Sequence, residues 1–295
     1  MAGRQPADRD RDSRLFKLLR RWLAGAEGMR SKHGANLALD ILAANGIAEI
    51  AVVRDGRRIH LSTRDKVIAS SVLRGGSFGA DNMASFAALL AARGLSPQAL
   101  TFVNIGANIG TACLNAYDHG FRRFVAAEPE PENFRLLRLN LDGLAHAEVR
   151  LVPSAVGERR GRARLHRHPR NKGAHSLLDS GRDGGIEAAV EVEVLPLDEL
   201  YAASGPFVLF VDVEGFEPQV LRGGADVIAR DCRAMALEVT PARYAPEDKA
   251  DLCRRLAAFS DELFVIPSGV THPTSRLASL MDEHPKGHFD IALLR

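Results

Sequence analysis

Four acidic residues lie at or just beyond the ends of two predicted strands, and they are the best candidates for chemistry in this sequence. Asp212, Glu214 and Glu217 follow the apolar run FVLFV, and Glu238 comes near the end of the run RAMALEVT. Ligands of open α/β sheets bind in the crevice outside the carboxyl ends of the strands. A carboxylate there can orient a substrate or accept its proton. We therefore predict catalytic roles for Asp212 first, and then for Glu214 and Glu238.

Each of the last three acids also has a structural alternative. Glu217 directly precedes Pro218 at the start of a predicted helix, so it can simply cap that helix. Glu214 can hold the turn by accepting backbone hydrogen bonds, and Glu238 can be a buried structural acid. The sequence leaves these alternatives open.

The segment VNIGANIGT lies between a predicted strand and a predicted helix and resembles a cofactor loop in composition. Gly106 and Gly110 permit a tight turn and bring backbone N–H groups close to a ligand. A dinucleotide fingerprint would need glycines where the chain has Asn108 and Thr111. Glu128 ends the next strand about twenty residues on, where a carboxylate can accept hydrogen bonds from ribose hydroxyls. This favours a nucleoside without pyrophosphate, such as S-adenosylmethionine, over a bare structural turn.

A stretch rich in Gly, Arg and His at residues 157–188 can fold over a substrate. It contains His175 and Ser176, and a histidine with a pKa near neutrality is a natural proton acceptor, although a lone loop histidine is usually solvated. The unevenly spaced histidines have no companion cysteine, so we predict no metal. The stretch also holds the strongest basic run of the chain: Arg159, Arg160, Arg162, Arg164, Arg167, Arg170 and Lys172. These side chains suit an anionic substrate, but a hairpin whose arginines face water is the favoured interpretation.

The elements that would position these residues follow from the hydrophobic pattern. Residues 48–63 predict a hairpin with a turn at Asp55-Gly56, and a helix is predicted around residues 81–93. From residue 101 strands and helices alternate, which predicts a mostly parallel sheet with helices on both faces. We expect EVRLVPSAV to form one strand, AVEVEVLPLDEL an edge strand and FVLFVDVEG a central strand. Two further strands, at residues 262–267 and 288–294, predict an antiparallel finish.

Composition bounds the class of protein. The formal charge of +2 over 295 residues is too small to indicate nucleic-acid binding. No stretch approaches a membrane span, and the three cysteines have no metal-ligand spacing, so we expect a cytoplasmic protein in a reducing compartment. We predict a loose tail at residues 1–14, an extension with a helix and the hairpin at 15–95, and a catalytic domain at 96–295. The oligomeric state stays open.

Several segments in order resemble the FkbM-type methyltransferases: VNIGANIGT, AAEPEPENFRLLRLNL, SAVGERRGRARL with NKGAHSLLD, VEVLPLDEL and FVDVEGFEPQVLRGGADVI. The resemblance implies an α/β class I methyltransferase fold, which is Rossmann-like, with S-adenosylmethionine as the methyl donor. One departure is Asn104, where the family more often has Asp. By resemblance and position the cofactor-binding residues are Asn104, Gly106, Ala107, Asn108, Gly110, Glu128, Pro129, Ser154, Ala155 and Asp212.

The resemblance further implies methyl transfer to a hydroxyl oxygen of a sugar, glycan or secondary metabolite. Two other classes of function remain as alternatives. The first is a nicotinamide-dependent oxidoreductase, which Asn108 and Thr111 disfavour. The second is a non-catalytic binding module of the same fold, for which Asn104 is the best support because an amide supplies no negative charge to the cofactor's ammonium group.

Overall fold

The computed structural model describes residues 31–168, 175–178, 187–202 and 205–295. It divides into two compact units, with the boundary between Phe78 and Gly79. The predicted tail at residues 1–14 and the predicted helix from Leu15 to Leu23 lie outside the described residues. No helix in the described ranges is long and apolar enough to cross a bilayer.

The first unit contains the predicted hairpin, which is confirmed. Its elements are α1 (Lys32–Ala44), β1 (Glu49–Arg54), β2 (Arg57–Ser62) and α2 (Ile68–Leu73). Asp55 and Gly56 have φ values of 47° and 76°, as a two-residue turn with positive φ at both positions requires. The strands pair in antiparallel register from Glu49 opposite Ser62 to Arg54 opposite Arg57.

The second unit carries the catalytic candidates and begins with α3 (Ala80–Ala92), close to the predicted helix. The elements that follow are β3 (Thr101–Ile105), α4 (Thr111–Asp118), β4 (Arg123–Ala127), α5 (Pro131–Leu141), β5 (Glu148–Val152), β6 (Ala155–Val156), β7 (Gly161–Arg167), β8 (Glu187–Leu195), α6 (Leu197–Leu200), β9 (Phe207–Val211), α7 (Glu217–Arg222), α8 (Ala225–Asp231), β10 (Cys232–Val239), α9 (Pro246–Phe259), β11 (Glu262–Ile266), β12 (Val270–Pro273), α10 (Leu277–Glu283) and β13 (Phe289–Leu294).

Eight of these strands form one sheet in the order β12-β11-β13-β10-β9-β3-β4-β5. The five strands from β10 to β5 are parallel, and β13 is antiparallel to β10. The predicted α/β fold with an antiparallel C-terminal strand is therefore confirmed. The strand order runs outward in both directions from the β3–β9 pair, and such a switch point opens a crevice at the carboxyl ends.

The central position predicted for FVLFVDVEG is also confirmed, because β9 lies between β3 and β10. Phe207, Val208, Leu209 and Val211 are fully buried on this strand. A strand covered on both faces needs this continuous apolar sequence, and an alternating one would not suit it.

Two strand predictions are wrong. The segment EVRLVPSAV is not one strand, because the chain breaks after Val152 at Pro153, which has no N–H for a sheet ladder. The segment AVEVEVL is not an edge of the main sheet; β8 is the middle strand of a separate sheet in the order β6-β8-β7. The alternation of apolar and acidic residues along β8 suits a sheet with one buried and one exposed face, since Val192 and Val194 are buried while Glu191 and Glu193 are exposed.

The C-terminal part contains elements that the sequence analysis did not predict. The helical segment after residue 217 breaks at Gly223 and Gly224 into α7 and α8, because glycine is a poor helix former. The two predicted terminal strands are β11 and β13, and β12 and α10 lie between them. The short strand β12 is largely exposed, so it has no hydrophobic period by which it could be predicted.

Candidate active site

The loop after β3 adopts the tight turn that its glycines predict. Gly106, Asn108 and Gly110 have positive φ values of 81°, 52° and 93°, and asparagine tolerates this conformation better than most side chains. The amides of Gly106 and Ala107 both donate to the carbonyl of Ala127 on β4, at 3.0 and 2.9 Å. The loop is thus fixed against the neighbouring strand.

Gly106 also lies against the end of β9. A Cβ atom at this position would come within 1.9 Å of the backbone oxygen of Asp212, and the Asp212 amide donates to the carbonyl of Ile105 at 3.0 Å. The cofactor loop and the first acidic candidate are therefore parts of one closely packed junction, in which only glycine fits.

Glu128 is buried at the end of β4 and already accepts two backbone hydrogen bonds. Its Oε2 accepts from the Asn108 amide and its Oε1 from the Glu130 amide, both at 2.8 Å. Burial is the largest influence on this carboxyl group and raises its pKa to about 7. The Asn133 side chain also hydrogen-bonds to this carboxyl group. A carboxylate has about four acceptor positions, so one remains for a ribose hydroxyl.

Two buried polar atoms near these strand ends have no hydrogen-bond partner within the described structure: Asn104 Oδ1 and Ser154 Oγ. Both residues are 1% exposed. The Asn104 amide nitrogen donates to Cys113 Sγ at 3.5 Å. Buried polar atoms are normally hydrogen-bonded, so a ligand with donors or acceptors at these places suits them. Ala155, also buried, begins β6 directly after Ser154, and Pro129 follows Glu128.

The structure brings Asp212, Glu214 and Glu238 together. Carboxylate oxygens of the three lie within 4.8 Å of one another, a separation at which they could share protons or hold a cation. Burial, followed by repulsion from Glu238, Asp290 and Glu217, raises the pKa of Asp212 well above its ordinary value. Burial and nearby carboxylates likewise raise the pKa of Glu238 to about 8. The cluster therefore keeps protons that exposed carboxyl groups would lose.

Asp290 belongs to this acidic group and was not predicted from the sequence. It lies on β13 directly opposite Glu238 of β10, and it accepts a hydrogen bond from the Asn82 side chain at 2.7 Å. Burial raises its pKa as well. The only sequence signal is an acid at the start of the last strand, and its meaning depends on a strand register that the sequence does not supply.

Glu217 holds the turn after β9, a role that the sequence analysis considered for Glu214. It is fully buried, and its Oε1 accepts from the amides of Val213 and Gly215 at 3.3 and 3.1 Å. Its Oε2 accepts from the Tyr244 hydroxyl at 2.8 Å. These contacts make Glu217 a brace of the turn.

Glu214 has a left-handed backbone, with φ of 56°, and its side chain forms an ion pair with Arg243. Arg243 also donates to the Glu214 carbonyl at 2.6 Å, and Ser176 Oγ donates to the same oxygen at 3.0 Å. Strained residues persist where their surroundings fix them, commonly at functional sites. Arg243 follows the end of β10 in a short 3-10 helix, and nothing in its local sequence identified this contact.

Tyr244→Phe should lower the free energy of unfolding by about 1–3 kcal/mol, because it leaves Glu217 Oε2 buried without its hydroxyl donor. Urea denaturation measures the change. Tyr117→Phe is the matched control, since its hydroxyl hydrogen bond to the Ala145 carbonyl is exposed. Equal losses in the two variants would contradict the bracing role of Glu217.

His175 is joined to this region through the chain. Its Nδ1 accepts from the His168 amide at 2.9 Å, and the next residue, Ser176, pairs with His166 across an isolated bridge. The structure therefore places His175 one residue from the Glu214 turn.

The described part of the basic run lies on the β7–β8 hairpin, where most of its arginines are exposed, as the favoured interpretation predicted. Arg160 pairs with Glu193 and Glu199, and Arg162 pairs with Glu191. These are exposed ion pairs on the β7–β8 sheet. Arg167 instead pairs with the buried Glu130. Arg170 and Lys172 lie outside the described residues.

The fold and the loop together define a class I methyltransferase domain. Residues 104–264, more than half of the chain, match the family described as the methyltransferase FkbM domain. The chain belongs to this family. No curated protein matches it significantly.

Solved structures show weaker likenesses. Magnesium protoporphyrin IX methyltransferase from Synechocystis PCC 6803 with bound SAM is 12% identical, covers 78% of this chain and 84% of its own, and has a TM-score of 0.41. The SAM-dependent methyltransferase from Agrobacterium tumefaciens is 11% identical, covers 83% and 70%, and has a TM-score of 0.43. The assignment rests on the family match.

The cofactor of this family is S-adenosylmethionine, as the sequence predicted. The residues present fit it: a glycine junction that a Cβ would fill, a buried acid with an acceptor position left and two buried polar atoms that have no partner among the described residues. The predicted cofactor residues from Asn104 to Gly110 and from Glu128 to Pro129 lie on the ends of adjacent strands β3 and β4.

Proposed function

We propose that the protein transfers a methyl group from S-adenosylmethionine to a hydroxyl oxygen of a sugar, glycan or secondary metabolite. The observation that carries this proposal is the cluster of carboxyl groups, with Asp212 and Glu238 among them, at the carboxyl edge of the sheet, where burial raises the pKa of both residues. Asp212 packs directly against the Gly106 junction of the cofactor loop. A base is thus present beside the place where the methyl donor would bind.

The chemistry of a hydroxyl acceptor explains why such a base is useful. Bound S-adenosylmethionine supplies a methyl group that its sulfonium already activates. A hydroxyl must lose its proton as its oxygen forms the new bond, and the proton needs an acceptor on the protein. Glu238, with its pKa near 8, is well matched to that task near neutral pH. Asp212 would share the proton or orient the hydroxyl, and His175 remains the third candidate base.

We infer that the reacting end of the acceptor is uncharged. A carboxylate or phosphate placed against the acidic cluster would raise the pKa of its carboxyl groups further, so that none of them could ionise to act as the base. The arginines that suggested an anionic substrate are largely engaged, since Arg160, Arg162 and Arg167 each pair with glutamates. This revises the expectation of an anionic substrate that the basic run raised.

For the cofactor, we propose that Glu128 accepts hydrogen bonds from the ribose hydroxyls and that Asn104 Oδ1 accepts one from the ammonium group of the methionine end. Ser154 Oγ and the Ala155 backbone would contact the nucleoside. The remaining acceptor position of Glu128 and the unpartnered, buried oxygens of the described Asn104 and Ser154 support these contacts.

Calorimetric titration with S-adenosylmethionine, S-adenosylhomocysteine and NAD tests the cofactor part. We expect saturable binding of the first two ligands only. Glu128→Gln should weaken it at least about tenfold, because hydrogen bonds to a charged group are lost. Glu148→Gln is the control, since Glu148 is an exposed acid on the neighbouring strand β5. Binding of NAD alone would support the oxidoreductase alternative, and no binding by folded protein would support a non-catalytic module.

The acceptor part is tested with labelled methyl donor and three sugars that differ at one position: a hydroxyl, an amine and a carboxylate. We expect label only in the hydroxyl compound, as an ether that resists alkali. Label in the amine, or an alkali-labile ester from the carboxylate, would overturn the choice of acceptor while leaving the methyltransferase assignment intact.

A further inference from the structure

A buried ion pair connects the β7–β8 hairpin to the cofactor side of the site. Glu130 is the N-cap of α5, and its Oε2 accepts from the Asn133 amide at 2.8 Å. Its side chain is fully buried, and its Oε1 lies 2.5 Å from Arg167 Nη2 at the end of β7. Arg167 is itself largely buried, with 29% of its side chain exposed. Its environment differs from that of the exposed arginines earlier on the same strand.

Glu130 in turn contacts Glu128 through the backbone. The Glu130 amide donates to Glu128 Oε1 at 2.8 Å, so the position of the cap residue fixes one oxygen of the candidate ribose acid. The three residues therefore form a chain of direct contacts, from Arg167 through Glu130 to Glu128. Removal of one partner from a buried ion pair leaves an uncompensated charge, which is costly in a low-dielectric environment.

The charges along this chain act on Glu128. Repulsion from the Glu130 carboxylate is one of the influences that raise the Glu128 pKa, while the amides of Glu130 and Asn108 and the Asn133 side chain lower it. The charged groups that face Glu128 are therefore Glu130 at the start of α5 and, behind it, Arg167 on β7. Arg167 offsets the negative charge of Glu130 in the part of the chain that the structure describes.

We propose that Arg167 and Glu130 are positioning residues that hold the Glu128 carboxylate in place and ionised for the cofactor ribose. This rests on the ribose contact proposed above for Glu128. It also gives the hairpin a second role, because the adjacent residue His166 pairs with Ser176, whose hydroxyl holds the Glu214 turn. One segment thus contacts both the cofactor side and the acceptor side of the site.

The test is calorimetric binding of S-adenosylhomocysteine between pH 6 and 9. The wild type should gain affinity as pH rises through about 7, where Glu128 ionises. In Arg167→Met the charge of Glu130 is no longer offset, so the midpoint should move to higher pH. The affinity at pH 7 should fall about fivefold for a shift of one pKa unit, because the ionised fraction drops from about one half to about one eleventh. In Glu130→Gln a like charge is removed, so the midpoint should move to lower pH.

These opposite shifts separate positioning from a structural role, which would weaken binding without moving the midpoint. Arg167→Lys keeps the charge and should keep the wild-type midpoint. If Arg167→Met fails to fold, Arg167→Lys and Glu130→Gln still test the positioning role. The matched control is Arg162→Met, which removes an exposed pair on the same strand and should bind as wild type.

The positioning role and the ribose contact would be overturned by different outcomes. Unchanged midpoints in folded Arg167→Met and Glu130→Gln, beside weak binding by Glu128→Gln, would overturn the positioning role alone. Wild-type affinity in Glu128→Gln would overturn the ribose contact itself.

Discussion

Gly106→Ala should abolish cofactor binding and lower the free energy of unfolding by more than about 3 kcal/mol, because two costs combine at this position. Its φ of 81° disfavours any side chain. The new Cβ would also lie 1.9 Å from the Asp212 backbone oxygen, so the loop and the end of β9 must separate. Calorimetry with S-adenosylhomocysteine and urea denaturation measure the two losses.

Gly94→Ala is the matched control. Gly94 has a similar φ of 70°, but a Cβ there would meet nothing within 4 Å. It should cost only about 1–2 kcal/mol, the conformational part of the effect, and leave binding intact. If Gly106→Ala cost no more than Gly94→Ala, the close approach of the two strand ends would be wrong.

Glu238→Gln and Asp212→Asn should each reduce kcat on a hydroxyl acceptor by about 10²- to 10⁴-fold, the usual contribution of a general base. Cofactor affinity should change little in Glu238→Gln, since Glu238 is not among the cofactor candidates. Glu262→Gln, an exposed acid of β11 on the same sheet, is the control. Wild-type kcat in Glu238→Gln would show that Glu238 is not the base.

The pH profile gives this prediction a second measurement. The base must be ionised to accept a proton, so wild-type kcat should rise with pH through about 8 and then level off. Glu238 is the largest neighbouring charge that raises the Asp212 pKa. Residual activity in Glu238→Gln should therefore appear at lower pH than in the wild type. A profile that is the same in both would contradict the coupling.

The same carboxyl group links activity to stability. The folded pKa of Glu238, about 8, exceeds the ordinary value of 4.5, so the folded state binds protons that the unfolded state has released. Stability from this group is present at low pH and is lost as pH rises toward 8. At pH 9 Glu238→Gln should therefore be more stable than the wild type while it is less active, which a mere folding defect would not produce.

The sequence predicted those parts of the fold that follow from local pattern. The Asp55-Gly56 turn and the apolar strand β9 each have a local physical cause, and both are present. The prediction failed where the position of a strand depends on which other strands it pairs with. The alternating segment of β8 reads as a strand in either sheet, and its place beside β7 depends on contacts far apart in the chain.

The same division applies to the candidate site. Gly106, Glu128 and Asp212 lie at strand ends, so the order of elements alone could bring them to one edge. Asp290 and Arg243 could not be found in this way. The first depends on the register that sets it opposite Glu238, and the second on a side chain that reaches back to Glu214.

The small sheet of β6, β8 and β7 is separate from the eight-stranded one, and this has an evolutionary consequence. Because the described strands of the hairpin share no pairing with the main sheet, the hairpin can change in length or sequence without altering the register that builds the cofactor loop. Related enzymes could therefore diverge in the molecules they modify by remodelling this appendage. A chimera that exchanged the hairpin between two relatives would need to preserve chiefly the contacts that Arg167 and Ser176 make with the rest of the domain.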